Sequence, residues 1–214
     1  NMITAAKDAG VQAFVYASSS SVYGDEPNLP KVEERTGRLL SPYAVTKMTN
    51  ELYARVFADL YGLRVAGLRY FNVFGPRQDP NGPYAAVIPL FVTGILNRSV
   101  VYINGDGNQT RDFTYVANAV QANVRAMLTD NANAFGQVYN VAVGNRFTVN
   151  ELYQSIADIL GIEHAATHRE PRAGDIRDSL ADTSKAQQLL GYQPTTRFHD
   201  GLQLTVSYFR SLVQ

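Results

Sequence analysis

Tyr43 and Lys47 are the residues of this chain whose types and spacing most clearly offer chemistry. Ser41 before them is a good helix N-cap, and Pro42 suits the first helical position. Residues from there to Tyr61 run at helical spacing, and Gly62 is a natural stop. Four apart on one helix, Tyr43 and Lys47 share a face. An ammonium beside a phenol in a shielded site favours the phenolate. That is a general base for an alcohol proton, the first need of an enzyme that takes hydride from an alcohol carbon. Upstream, an apolar run from Phe14 enters the serine cluster 18–21. Ligands of α/β sheets sit at the carboxyl ends of strands, where a serine hydroxyl can hold a substrate oxygen. Taken alone, the tyrosine and lysine read equally as two surface residues of a helix, and the serines equally as a turn.

The elements needed to position these groups alternate along the chain. Strands are expected at 12–17, 63–69, 100–103 and 138–141. Helices are expected at 42–61, 84–97, 115–129, 149–160, 183–190 and 199–212, and residues 1–10 read as the end of a helix. Strands alternating with helices imply an α/β fold with a parallel sheet. The segments 75–83 and 163–178 read as loops over a site.

Composition narrows the partners. Lys+Arg 19 balances Asp+Glu 19, so nothing argues for a nucleic-acid or membrane surface. There are no cysteines, which removes disulfides and thiolate chemistry. No apolar run reaches the roughly 18 residues of a membrane span. His164, His168 and His199 lack metal-ligand spacing, so no metal site is expected. No Gly-x-Ser-x-Gly elbow supports serine hydrolysis. The remaining Asp and Glu, including Asp130 and Glu151, read as solvated or capping residues.

Five ordered motifs carry a resemblance. They are Ser-Ser-Ser-Ser-Val-Tyr-Gly (18–24), Ser-Pro-Tyr-Ala-Val-Thr-Lys (41–47), Leu-Arg-Tyr-Phe-Asn-Val-Phe-Gly-Pro-Arg (68–77), Gly-Asp-Gly-Asn-Gln-Thr-Arg-Asp-Phe (105–113) and Pro-Arg-Ala-Gly-Asp (171–175). With them the chain resembles the extended short-chain dehydrogenase/reductases. Within these it is most similar to the nucleotide-sugar 4-epimerases acting on UDP-N-acetylglucosamine or UDP-glucose. The resemblance implies an NAD cofactor, a UDP-sugar substrate, and a cytoplasmic homodimer formed through the Tyr43–Tyr61 helix.

It also implies roles. Ser19, Tyr43 and Lys47 would be catalytic. Ser18, Tyr43, Lys47, Tyr70 and Phe71 would meet the cofactor, the last two through main chain at the nicotinamide. Ser20, Asn72, Gln78, Ala86, Val87, Asn104, Arg111, Arg172, Asp175 and Ser179 would meet the substrate. Of these, Arg111 and Arg172 would hold the diphosphate, Asp175 the nucleotide ribose, and Ser179 the sugar pocket. On residue type alone, Gln78 reads equally as an exposed loop amide, and Ser179 as the start of the next segment. The related 4,6-dehydratases carry an Asp-Glu pair where this chain has Ser20 and Ser21, so the acid and base for elimination are missing. A nucleotide-sugar reductase, or a fragment that only dimerises, remains an alternative.

The fold implied is the carboxyl-terminal part of a Rossmann-like parallel sheet with an interleaved smaller substrate lobe. Residues 1–80 would belong to the NAD domain and 81–214 mainly to the substrate lobe, with 112–145 returning to the sheet. No Gly-x-Gly-x-x-Gly or Gly-x-x-Gly-x-x-Gly occurs in the sequence. By resemblance, on the order of a hundred or more residues with the first strands and the glycine fingerprint would precede Asn1.

Overall fold

A computed structural model describes residues 1–80, 86–171 and 176–213. A short helix α1 (Met2–Asp8) leads into β1 (Phe14–Ser19), and a 3-10 turn follows at Ser20–Tyr23. Gly24 ends that turn at φ 56, and a Cβ there would lie 2.0 Å from the Arg38 carbonyl oxygen, so the position admits only glycine. The chain then crosses through α2 (Pro42–Tyr61) to β2 (Val65–Tyr70), which pairs with β1 in parallel. Ser41 Oγ accepts from the Ala44 amide, Pro42 opens the helix, and Gly62 closes it at φ 64.

β7 (Gln137–Val141) joins the other side of β2, again in parallel, giving the order β1-β2-β7. Between β2 and β7 the chain makes β3 (Val73–Phe74), α3 (Val87–Leu96), β4 (Val101–Asn104), β5 (Thr110–Arg111), β6 (Thr114–Tyr115) and α4 (Val116–Leu128). After β7 come β8 (Phe147–Thr148), α5 (Val149–Leu160), β9 (Ala166–Arg169), α6 (Ser184–Leu190) and α7 (Phe198–Val213). The architecture is α/β with a parallel sheet, as the alternation of elements implied.

Strand alternation sends the side chains of β2 to opposite faces. Val65 packs with Ala54 of α2, whereas Ala66 and Leu68 pack with Ala122 and Ala126 of α4 and with Leu190 of α6. The sheet is therefore covered on both sides. A second apolar cluster joins α3, α5 and α7 through Phe91, Ile95, Leu152, Ile156, Leu202 and Val206. Thr148 and Glu151 form a reciprocal capping box on α5, so Glu151 is a capping residue as expected.

The structure departs from the sequence reading in three places. The first two sheet strands start two residues later than expected, at Phe14 and Val65. The segment 163–178 is not all loop, because β9 pairs with β4 in parallel from Val101↔Ala166 to Asn104↔Arg169. Its Ala-Thr-His-Arg sequence is largely solvent-facing and carries no apolar alternation. Several acidic residues read as solvated are in fact buried: Glu33, Glu51 and Asp112.

Candidate active site

α2 is the crossover between two parallel strands, so it runs back antiparallel to β1. Lys47 Nζ donates to the Ala17 carbonyl at 3.1 Å. One helical turn back toward the amino end is about 5–6 Å. Two residues onward along a strand is about 6.6 Å. Tyr43 therefore lies toward the Ser19 end of β1. Lys47 Nζ stands 5.6 Å from the centre of the Tyr43 ring, and Tyr43 is 47% exposed, so the phenol is half exposed beside a cation. Ser19 Oγ accepts from the Ser21 amide at 3.2 Å, which caps the 3-10 turn and leaves the hydroxyl hydrogen to point elsewhere.

The serine before it is turned the other way. Ser18 is buried, and its hydroxyl donates to Glu51 Oε1 of α2. Glu51 also accepts from Arg69 Nε at 2.9 Å and Arg69 Nη2 at 2.8 Å. Arg69 Nη1 donates to the Glu33 carbonyl at 3.0 Å, and the Arg69 guanidinium lies 4.9 Å from the centre of the Tyr23 ring. Tyr23 in turn donates to Asn140 Oδ1 at 2.6 Å, and the Asn140 amide donates to Glu33 Oε1 at 2.8 Å. Burial raises the Tyr23 phenol above its ordinary value, so it stays protonated and donates. Burial alone would pull the Arg69 guanidinium down, but the Glu51 hydrogen bonds reverse this and hold it charged. A contact of residue 18 with a cofactor would have to come from its main chain.

β2 ends at Tyr70, whose hydroxyl reaches Asn123 of α4 at 3.0 Å. Phe71 is fully buried with Tyr23, Ala142 and Ala181. Both side chains are thus turned inward, and the Phe71 amide donates to the Val141 carbonyl at 3.1 Å. Asn72 is exposed at φ 30, a left-handed conformation that is costly for a non-glycine residue and found preferentially at functional sites. Gln78 Nε2 donates to the Val73 carbonyl at 3.1 Å, which ties its amide to the loop rather than releasing it to solvent.

A cleft of about 640 Å³ opens beyond Asn72. It brings together Asn72, Ala86, Val87, Asn104 and Arg111 from the expected substrate set, over an apolar floor that includes Phe74 and Phe113. Arg169 joins them: its Nε donates to Asn104 Oδ1 at 2.6 Å, and its guanidinium lies 5.0 Å from the centre of the Tyr102 ring. Two guanidinium groups on one cleft suit an anionic ligand. Arg169 lies outside the five sequence motifs. The register of β9 on β4 is what places it. Arg111 Nη1 also donates to the Thr110 and Arg177 carbonyls.

Ser20 and Ser179 do not line this cleft. Ser179 is buried, and its amide donates to the Thr110 carbonyl at 3.1 Å. Two residues on, Ala181 packs against Tyr23 and Phe71, so this segment lies across the carboxyl ends of β1 and β2. Arg172 and Asp175 fall outside the described residues. The histidines are held by ordinary hydrogen bonds: His164 to Tyr153 and the Ser99 carbonyl, His168 to the Gly105 carbonyl.

Asp112 was missed by sequence reasoning. It is fully buried and accepts from the amides of Val143, Gly144 and Ala181, joining the β5–β6 connection to the end of β7 and to the 179–181 segment. Burial pushes its carboxyl up to about 6, and the amide hydrogen bonds pull against that.

The residues present fit the nicotinamide–ribose end of a dinucleotide. A half-exposed phenol and an ammonium meet there at the carboxyl end of β1. Lys47 donates to Ala17, and an ammonium carries three donors. A glycine-rich turn for the pyrophosphate is not among the sequence motifs.

Comparison with known proteins agrees with this geometry. Residues 1–142 match the NAD dependent epimerase/dehydratase family. The chain is 37% identical to UDP-glucose 4-epimerase of Mycolicibacterium smegmatis, covering 98% of this chain and 66% of the relative. Among solved structures, UDP-N-acetylglucosamine 4-epimerase from Methanobrevibacter ruminantium, in complex with UDP-N-acetylmuramic acid, is 42% identical. It superposes with a TM-score of 0.93 over 99% of this chain and 67% of its own. UDP-glucuronic acid 4-epimerase from Bacillus cereus, with UDP-glucuronic acid and NAD, is 32% identical with a TM-score of 0.90, over 99% and 65%. The chain thus spans about two thirds of the length of these relatives. By sequence and by fold, it belongs to the NAD-dependent epimerase/dehydratase family.

Proposed function

We propose that this chain carries the catalytic half of an NAD-dependent 4-epimerase of UDP-hexoses, with UDP-GlcNAc/UDP-GalNAc preferred. The observation that carries the reading is the Tyr43–Lys47 pair, fastened at Ala17 with Tyr43 toward the Ser19 end of β1. Residues 1–80 and 112–145 form the cofactor half and the rest mainly the sugar-nucleotide lobe. Ser19 holds the oxygen on carbon 4 through its hydroxyl. Tyr43 takes the proton of that hydroxyl and later returns it. Lys47 stabilises the phenolate and binds the nicotinamide ribose. The chemistry that bound NAD would supply here is reversible acceptance of the hydride on carbon 4, with no net redox change. The 4-keto sugar must turn over between the two transfers, so the sugar has to be held loosely while its diphosphate is held firmly. Arg111 and Arg169 in the cleft suit the second task, with Arg172 and Asp175 assigned there by resemblance. Asn72, Ala86, Val87 and Asn104 line the cleft that would take the substrate; by resemblance, Ser20 and Gln78 would meet the sugar and main chain of Tyr70 and Phe71 the nicotinamide.

α2 presents Leu52, Tyr53, Val56 and Leu60 to solvent at 50–69% exposure, which suits a homodimer through this helix. Among the described residues no helix is long and apolar enough to cross a membrane.

The test is to incubate the full-length protein with UDP-GlcNAc and follow UDP-GalNAc by chromatography. Interconversion with no net change in NAD is expected; net oxidation of supplied NADH, with the sugar reduced, would favour a reductase instead. Ser179 sets the sugar preference in this reading, because a small side chain leaves room for the acetamido group. One such group is worth on the order of 1–3 kcal/mol of discrimination. Ser179→Tyr should therefore depress turnover of UDP-GlcNAc at least about tenfold more than that of UDP-Glc. Equal loss on both sugars in a folded variant would remove Ser179 from the pocket.

A further inference from the structure

α2 has 20 residues but buries only Ala44, Glu51 and Ala54. Its carboxyl half also has Phe57 and Ala58 packed at the edge of the apolar cluster around Ala54, Leu63 and Val65. The amino half, which carries Tyr43 and Lys47, buries one apolar side chain, Ala44, besides the carboxylate of Glu51. Apolar contact is non-directional, and so little of it cannot fix the rotation or height of a helix on a sheet. Hydrogen bonds can. Tyr43, Lys47 and Glu51 recur at the spacing of one helix face. Along that face, Lys47 donates to the Ala17 carbonyl and Glu51 accepts from the Ser18 hydroxyl of the next residue. Glu51 is also gripped by the Arg69 fork, one residue before the Tyr70–Phe71 strand end.

We propose that Glu51 is a positioning residue. Through Ser18 and Arg69 it locks α2 to the carboxyl ends of β1 and β2 and so sets the height of the Tyr43–Lys47 pair against Ser19. The proposal rests on the epimerase reading for its kinetic consequence, though not for its geometry. A buried ion pair is weak evidence of stabilisation, since apolar residues of like volume often do as well or better. What this pair supplies, and an apolar pair would not, is direction: a bidentate fork from β2 and a hydroxyl from β1 on one carboxylate.

The deciding variant is the double substitution Glu51→Leu/Arg69→Met in the full-length protein. It removes both charges together, so neither is left buried alone. Thermal unfolding should match the wild type. The kcat for UDP-hexose epimerisation should fall about tenfold or more, the scale of a misplacement near 1 Å. The KM should stay within about threefold, because the cleft that holds the nucleotide is built by other residues. In its crystal structure the Lys47 Nζ–Ala17 contact, 3.1 Å here, should be broken. Wild-type kcat in a variant of wild-type stability would overturn the proposal. Should the double variant fail to fold, Ser18→Ala decides by the same kinetic criterion, since it removes one hydroxyl and no charge. If the wild-type protein itself turns over no UDP-hexose, the epimerase reading fails alone. The Lys47–Ala17 contact then decides the clamp: an intact contact in the folded variant rejects it.

Discussion

Tyr43→Phe should lower kcat about 100-fold or more with the fold unchanged, the scale of losing a general acid/base. The expectation follows from position. The phenol is half exposed at the mouth of the site, so its hydroxyl contributes little to the core. Removing one oxygen leaves the ring beside Lys47 and leaves the Lys47–Ala17 bond in place. Ser19→Ala should cost less, because a hydroxyl that only holds an oxygen is partly replaced by water, and because its other role is to cap a short turn. Steady-state kinetics on UDP-GlcNAc, with circular dichroism as a fold control, checks both. Turnover near wild type in Tyr43→Phe would take this residue out of the chemistry.

The largest stability loss is expected at Asp112. Asp112→Ala leaves the buried amide of Ala181 and the partly accessible amides of Val143 and Gly144 without their acceptor. A buried donor left unsatisfied costs about 1–3 kcal/mol, which falls in full on the Ala181 amide, whereas those of Val143 and Gly144 can turn to water, so the total should be roughly 2–4 kcal/mol. Urea unfolding measures it. Because Asp112 joins the end of β7 to the 179–181 segment, loosening should also raise the KM for the nucleotide sugar. A loss below about 1 kcal/mol would mean that water fills the vacated place at no penalty.

The chemistry was legible in the sequence because it sits on local signals. Ser41, Pro42 and Gly62 bracket α2 in the cap, first-turn and left-handed positions that their residue types favour. The alternation of elements gave the parallel sheet. What was illegible depends on partners distant in sequence. β9 has no apolar pattern of its own and exists as a strand only because β4 lies beside it. Consequently Arg169 could not be set against Asn104 in advance. The two-residue strands β3, β5, β6 and β8 are shorter than any periodicity can reveal. Glu51 and Asp112 look like ordinary surface carboxylates until their acceptor roles are known. One signal was available: Arg69 interrupts an otherwise apolar strand, and a charge at such a buried position requires a partner. Glu51, on the same helix face as Lys47, was the carboxylate to try.

The crossover β1–α2–β2 holds Ser19, Tyr43 and Lys47 within one continuous stretch, residues 14–70. The cleft is assembled from a different stretch, beginning at Asn72 and reaching Arg169. On the proposed reading, proton handling and sugar choice are thus written in separate passages of the chain. A substitution that reshapes the pocket need not disturb the acid–base pair, and one that repairs the acid–base pair need not alter which sugar enters. Such a division lets a lineage change its substrate in small, separately tolerated steps while the reaction at carbon 4 is carried along unchanged. Relatives of similar fold bearing UDP-N-acetylmuramic acid and UDP-glucuronic acid are what that freedom would leave behind.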